Sequence, residues 1–309
     1  MRISEILGGT EPCFSFEFFP PKTEEGTQAL FESVADLHRL NPGFVSVTYG
    51  AAGSTRDGTV EVTTRIQQDF GIEAMAHLSV VGETVEGIET ILSRFAAAGI
   101  ENILALRGDP PRSETDFVPA PGGLQSSAEL AAFIREYQPT RDFGIGASCF
   151  PEIHPEAASA EADIAYLKEK VEAGAEFLIS QLFFDNDVYF DWLAAVRDAG
   201  IDVPVIPGIL PIISRKGLHS FCTVCDARIP ERLDQQLAAL DGDQEAERAF
   251  GIAFASRQCE QLLAGGAPGI HFFVLNRAVS VKAVLGALLA ARPWERAAEG
   301  AGRGGRAAG

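Results

Sequence analysis

Short runs rich in β-branched and aromatic residues alternate with longer helical runs along nearly the whole chain, eight times over. The apolar runs lie at 13–19, 44–49, 73–79, 102–107, 143–149, 176–183, 203–209 and 270–275. Helical stretches follow each one, near 25–40, 58–69, 85–98, 126–137, 159–173, 187–199, 214–225 and 278–291. Glycines at 99, 174 and 200 close three of these helices, where a left-handed cap clashes with any Cβ. Such alternation predicts parallel strands joined by crossover helices. Eight units fill one closed (β/α)8 TIM barrel, an α/β fold of about 250 residues, better than they fill two open sheets. The barrel domain is expected over 1–294, with extra helical material at 226–265 ahead of the last strand. Residues 295–309 read as a disordered low-complexity tail. The Pro/Gly-rich loop at 108–125 is long enough to suggest a functional role.

Charge and cysteine content narrow the function classes. The 309 residues carry 25 Lys and Arg against 43 Asp and Glu, a formal charge of −18 that argues against nucleic acid as a partner. No apolar run reaches the roughly 18 residues of a membrane span, so no membrane association is expected. The opening MRISEILGGT lacks a signal-peptide core, and five cysteines read as reduced thiols, which together predict a cytoplasmic protein. Cys222 and Cys225 form a single CxxC with no second pair, so they read as buried thiols, and no metal is expected. GIGASC at 144–149 is only a fragment of a dinucleotide motif. Asp185 and Asp187 mark a helix start, and His38 and His219 read as surface positions.

Strand parity then picks out side chains that share a face. In strand one, Phe14, Phe16 and Phe18 should face the helices, leaving Glu17 inward. Strand two places Val45 and Val47 outward, with Ser46 and Thr48 inward. Strand three aligns Met75, His77 and Ser79, and strand four aligns Ile103, Ala105, Arg107 and Asp109. Strand six aligns Ile179 with Gln181, and strand eight aligns Phe273 and Leu275 with Arg277. Six of the eight strands therefore end in a polar group aimed at one rim, the carboxyl end where barrel enzymes keep their active sites. Any one of these residues alone would read as structural; their convergence predicts an active site.

Several motifs carry a family resemblance. FSFEFFPPKTEEG (14–26), FVSVTYGAAGSTRD (44–57), AHLSV (76–80) and ILALRGDPP (103–111) are followed in order by FPEIHPEA (150–157), PVIPGILPI (204–212) and HFFVLNRA (271–278). From about residue 10 to 292 the chain resembles the bacterial 5,10-methylenetetrahydrofolate reductases, flavin-containing barrel enzymes. The resemblance implies reduction of methylenetetrahydrofolate to 5-methyltetrahydrofolate by NADH or NADPH through bound FAD, in ping-pong fashion, feeding methionine synthesis. It also implies a homo-oligomer, and a catalytic barrel without the regulatory domain of eukaryotic relatives.

Residue by residue, the resemblance makes Glu17 the general acid, held in an apolar collar of Phe16, Phe18 and Phe19 whose burial would raise its pKa. Asp109 becomes the carboxylate beside the flavin ring. Thr48, Tyr49, His77, Arg107 and Gly108 fall on ring and ribityl contacts, and His154, Ala157, Asp163 and Lys170 on the pyrophosphate and adenosine side. Gln181, Phe221 and Arg277 fall on the folate-binding positions. The chain departs from the pattern at Ser126 and Ser127 (usually Tyr-Ala), Phe150 (usually Tyr) and Tyr166 (usually Asn), all on the flavin side. Each change removes or moves one hydrogen bond of about 0.5–1.5 kcal/mol, which predicts weakened flavin retention. Two alternatives follow: a flavin-independent folate reductase using nicotinamide directly, and a catalytically silent folate- or flavin-binding barrel.

Overall fold

The structure, a computed structural model, describes residues 1–49, 56–108, 118–137, 142–240 and 242–295, without the side chains of residues 56 and 57. Asp109, and the expected tail apart from residue 295, lie outside the described residues. The strands are β1 (Cys13–Phe18), β2 (Phe44–Val47), β3 (Ala74–Ser79), β4 (Asn102–Leu106), β5 (Gly144–Cys149), β6 (Phe177–Ser180), β7 (Val205–Ile206), β8 (Gly208–Ile209) and β9 (Gly269–Phe273). Every pairing is parallel, in the order β7-β6-β5-β4-β3-β2-β1-β9-β8. β7 and β8 are two halves of one stave interrupted at Pro207. The first half bonds to β6 and the second to β9. Proline has no N–H to give to the ladder, yet its carbonyl accepts from the backbone N–H of His271 at 3.0 Å. The sheet thus closes as a barrel of eight staves.

Helices α2 (Glu24–His38), α3 (Arg56–Phe70), α4 (Val85–Ala98), α5 (Ser127–Glu136), α6 (Ala160–Glu172), α7 (Asn186–Asp198), α8 (Arg215–Cys225) and α11 (Ala278–Ala291) follow the staves. α9 (Glu231–Ala238) and α10 (Gln244–Ala264) form the expected insertion. Side-chain oxygens of Thr23, Thr84, Ser126, Ser159 and Ser214 cap five helices by accepting from a first-turn N–H, and Asp185 does the same for α7. Gly99 ends α4 in the left-handed conformation at φ 84°.

The core has two layers. Phe14, Phe16, Phe18, Val45 and Val47 pack outward against the helices. Cys13, Phe44, Met75, Leu104, Phe177, Ile179 and Ile206 fill the lower barrel, closed beneath by Ile3 and Leu7 of a short helix α1 (Ile3–Leu7). Gly146 serves this plug: a Cβ there would lie 2.6 Å from the Phe177 ring. Polar groups inside the barrel therefore sit above the plug, toward the carboxyl ends of the staves.

Strand four corrects the parity expectation. Ile103 and Ala105 pack outward and Leu104 inward, so Leu106 and Gly108 face the barrel mouth. Arg107 falls on the outward parity, not the inward one. It reaches over the rim to Glu156, with Nη2 donating to Oε1 at 2.9 Å.

Candidate active site

Above the apolar plug lies a cluster of polar groups, each buried. Glu17 and Ser15 come from β1, Ser46 from β2, His77 from β3 and His271 from β9. The parallel register sets Ser15 beside His271 and Glu17 beside Ser46. His271 Nδ1 shares a 2.8 Å hydrogen bond with Ser15 Oγ, and its Nε2 lies 3.4 Å from Glu17 Oε2. His77 Nε2 approaches the same oxygen at 3.4 Å.

This arrangement overturns the apolar collar expected around Glu17. Phe16 and Phe18 lie on the opposite face of β1, inside the barrel-to-helix layer, and Phe19 is 40% exposed. Burial alone would push the Glu17 carboxyl up, but the hydrogen bond from His271, its electrostatic interaction with the two imidazole rings and a contact from Ser46 outweigh it and hold the group below its ordinary value. His77 is pushed down to about 4, chiefly by burial, against the opposing pull of Glu17.

The cluster floors a cavity of about 350 Å³ at the carboxyl ends of the staves. Thr48, Tyr49, Gly108, Phe150, Gln181 and Phe221 line it together with Glu17 and His77, so eight of the expected site residues meet at one mouth. Cys225, half-buried, lines it as well, while Cys222 is buried. Arg277 is exposed and borders an adjoining cavity of about 330 Å³, shared with Phe221 and Leu275.

The remaining expected residues gather on the 150–157 loop and α6. The His154 backbone N–H donates to Asp163 Oδ2 at 3.1 Å, and Ala157 N–H donates to the His154 carbonyl at 2.9 Å. The Phe150 ring meets His154 edge-on at 4.6 Å. Lys170 is only 5% exposed; its Nζ donates to the Ser148 carbonyl at 3.0 Å and lies 4.8 Å above the Tyr166 ring. Burial lowers the Lys170 ammonium below its usual range. Ser127 Oγ and the Tyr166 hydroxyl lie 3.0 Å apart in a hydrogen bond, so two of the departures from the family pattern satisfy each other. Ser126 is occupied as the α5 cap.

A profile of the family described as methylenetetrahydrofolate reductase matches residues 2–288. The chain belongs to the methylenetetrahydrofolate reductase family. It is 40% identical over 265 residues to 5,10-methylenetetrahydrofolate reductase of Salmonella typhimurium, covering 85% of this chain and 86% of that one. It is 37% identical over 314 residues to methylenetetrahydrofolate reductase (NADH) 1 of Arabidopsis thaliana, covering 96% of this chain and 53% of that one. The chain thus spans about half the length of the plant relatives it matches. A solved structure of an uncharacterized Clostridium thermocellum protein, described as binding two copies of 5-methyl-5,6,7,8-tetrahydrofolic acid, shares the fold. Its TM-score is 0.65 at 17% identity, with 92% of this chain and 96% of that one covered.

In this methylenetetrahydrofolate reductase family member, sequence reasoning put Ser15 on the Glu17 face without giving it a role, and missed His271 and Asn276. His271 shares its face with Phe273 and Leu275, so extending the strand-eight parity two residues back would have found it. Asn276 sits at φ 56° directly after β9 and hydrogen-bonds the backbone of Phe19 at the rim. No helix among the described residues is long and apolar enough to cross a membrane. No cluster of three His, Cys, Asp or Glu side chains among them could hold a metal ion.

Proposed function

We propose that this chain reduces 5,10-methylenetetrahydrofolate to 5-methyltetrahydrofolate, with FAD as resident cofactor and NADH or NADPH as electron donor. The observation that carries this reading is Glu17, the one ionisable carboxyl among the described residues lining the cavity, set on its floor below a rim that holds Gln181 and Phe221. The chemistry FAD would supply when bound is hydride carriage from the reduced nicotinamide to the folate carbon. The family relatives in Arabidopsis, maize and rice carry NADH in their names.

The residues present fit the flavin ring. Ser46 Oγ and His77 Nε2 are buried polar atoms without a hydrogen-bond partner among the described residues, and a polar ring edge would satisfy such atoms. Gly108, at φ 84° and packed against Val81 and Ser79, lines the cavity with backbone where a side chain would not fit. Thr48, Tyr49, Phe150 and Asp109 would flank the ring system. On the diphosphate side, Arg107, His154, Ala157, Asp163, Tyr166 and Lys170 would hold the cofactor, with Lys170 reorienting from the Ser148 carbonyl and Arg107 from Glu156.

Gln181, with Phe221 and Arg277 beside it, would bind and orient folate. Glu17 protonates N10, whose bond to the bridging carbon then breaks and leaves an N5 iminium ion. The mouth residues keep water from that electrophile until hydride arrives. Stopped-flow absorbance tests the reading. NADH should bleach bound flavin, and methylenetetrahydrofolate should restore the oxidised spectrum. Glu17→Gln should abolish folate reduction while NADH–dye activity persists. A wild-type protein that bleaches but is never reoxidised by the folate overturns the assignment.

The engagement of Lys170 and Arg107 favours one second reading, direct hydride transfer from nicotinamide without flavin. Folate-dependent NADH oxidation by protein with no visible absorption, unchanged on adding FAD, would establish it.

A further inference from the structure

Burial works to raise the Glu17 carboxyl, yet the His271 hydrogen bond and the neighbouring imidazoles hold it below its ordinary value, so a proton for catalysis has to be shared with a neighbour. Its immediate neighbour is an imidazole with no exposure to solvent. The His271 ring is fixed in plane by Phe44, stacked at 5.9 Å and 18°, and by Phe273, edge-on at 5.6 Å and 87°. That fixation aims Nε2 at Glu17 and Nδ1 at Ser15. A serine hydroxyl both donates and accepts. When His271 has given its Nε2 proton away, the remaining proton sits on Nδ1 and the Ser15 oxygen accepts it. When His271 carries both protons, Ser15 accepts from the same Nδ1–H. The partner behind His271 therefore accommodates both of its charge states at one 2.8 Å geometry.

We infer that His271, backed by Ser15, stores the proton that Glu17 delivers to the substrate, acting through Glu17 as a positioning residue. This rests on the folate-reduction reading given above. In the loaded pair the imidazolium faces the carboxylate. His271 Nε2–H passes its proton to the Glu17 carboxylate, and the carboxyl so formed hands that proton to N10. The electron pair of the breaking carbon–nitrogen bond stays on N10. The pair ends one proton poorer, with neutral His271 and anionic Glu17 opposite the iminium cation just made, and water returns the proton after product leaves. The titratable and polar groups facing this pair among the described residues are Ser15 on β1, Ser46 on β2 and His77 on β3. His77 stays neutral near pH 7 and leaves the proton to the pair.

The discriminating variant is His271→Gln. Glutamine can donate to Glu17 and accept from Ser15 at similar reach, yet it cannot take up a proton. The folate half-reaction should slow by about 10-fold or more, since a positioned acid contributes about 10²–10⁴ in rate. The folate KM should stay within about twofold and NADH–dye turnover should be unchanged. The decline of the folate half-reaction with rising pH should begin at lower pH than in wild type. Ser15→Ala, a smaller change, should move the same limb in the same direction. If His271→Gln keeps the wild-type rate and pH limb, the inference falls while the folate reading stands. Should His271→Gln not fold, Ser15→Ala decides, and an unmoved limb overturns the inference. If wild type itself does not reduce methylenetetrahydrofolate, the functional reading fails, and the inference with it.

Discussion

Asn276 holds the backbone of Phe19 by two hydrogen bonds, its Oδ1 accepting from the Phe19 N–H at 3.0 Å and its Nδ2 donating to the Phe19 carbonyl at 2.9 Å. One side chain thereby latches the loop after β9 onto the loop after β1, directly above Glu17 and His271. Asn276 also adopts φ 56°, a left-handed conformation that asparagine tolerates better than most residues. Asn276→Ala should destabilise the fold by about 2–4 kcal/mol, two ordinary hydrogen bonds plus a backbone penalty of about 1 kcal/mol. Asn276→Gly loses the same bonds without the penalty and should recover part of the loss. Urea denaturation of both variants checks this.

Acid should weaken the fold through the buried cluster. His77 is held at about 4 against an ordinary 6.5, so between those values the unfolded chain binds a proton that the folded chain refuses. Stability is then complete above about 6.5 and declines as pH falls toward 4, by up to about 3 kcal/mol at 1.36 kcal/mol per pKa unit. Glu17, also held low, adds a further loss below the ordinary carboxylate range. His77→Gln should flatten the upper part of this decline, as read from urea midpoints at pH 7.5, 5.5 and 4.5.

Gly108 and Gly71 separate two costs of adding a methyl group. Both have positive φ, 84° and 66°. A Cβ at Gly108 would stand 2.7 Å from Val81 and 2.9 Å from Ser79, whereas at Gly71 it would meet nothing within 4 Å. Gly71→Ala should cost about 1 kcal/mol, and Gly108→Ala about 1–3 kcal/mol more. Gly108→Ala should also weaken FAD binding, as followed by flavin fluorescence.

Lys170 offers a test of the diphosphate side. Its ammonium is buried and bonded to a backbone carbonyl, so Lys170→Met should leave thermal stability nearly unchanged or slightly raised. If the cofactor draws on that charge, FAD affinity should fall by about 10–100-fold, the equivalent of one charged hydrogen bond of about 1.5–3 kcal/mol. Riboflavin, which lacks the diphosphate, should bind wild type and variant alike.

The barrel itself was legible because stave and helix differ in hydrophobic period, and Thr48, His77 and Gln181 reach the mouth as expected because a polar side chain near the end of each strand marked the inward parity. Strand four defeated the same method. A stave buried on both faces carries no alternation, so Ile103 and Ala105 outward cannot be told from Leu104 and Leu106 inward, and Arg107 was assigned the wrong face. His271 shares the parity already read for Phe273, Leu275 and Arg277, and was passed over because it lies low in the strand, away from the rim. The five-residue α1 is too short to show any period. The Ser127–Tyr166 bond joins positions 39 residues apart, so read singly each was only a lost contact.

The interrupted stave at Pro207 has a consequence for how activity emerges. Glu17 and His271 stand 254 residues apart in sequence and meet only where the last stave docks against the first. The same last strand, β9, carries β8 on its other edge, so its docking shuts the cylinder. A form of the chain in which β9 has not docked on β1 lacks the proton-handling pair, however much of its helical shell has formed. Acid–base competence is thus an all-or-none property of the closed ring, and recovery of folate turnover during refolding should report ring closure alone, lagging behind the return of helical signal.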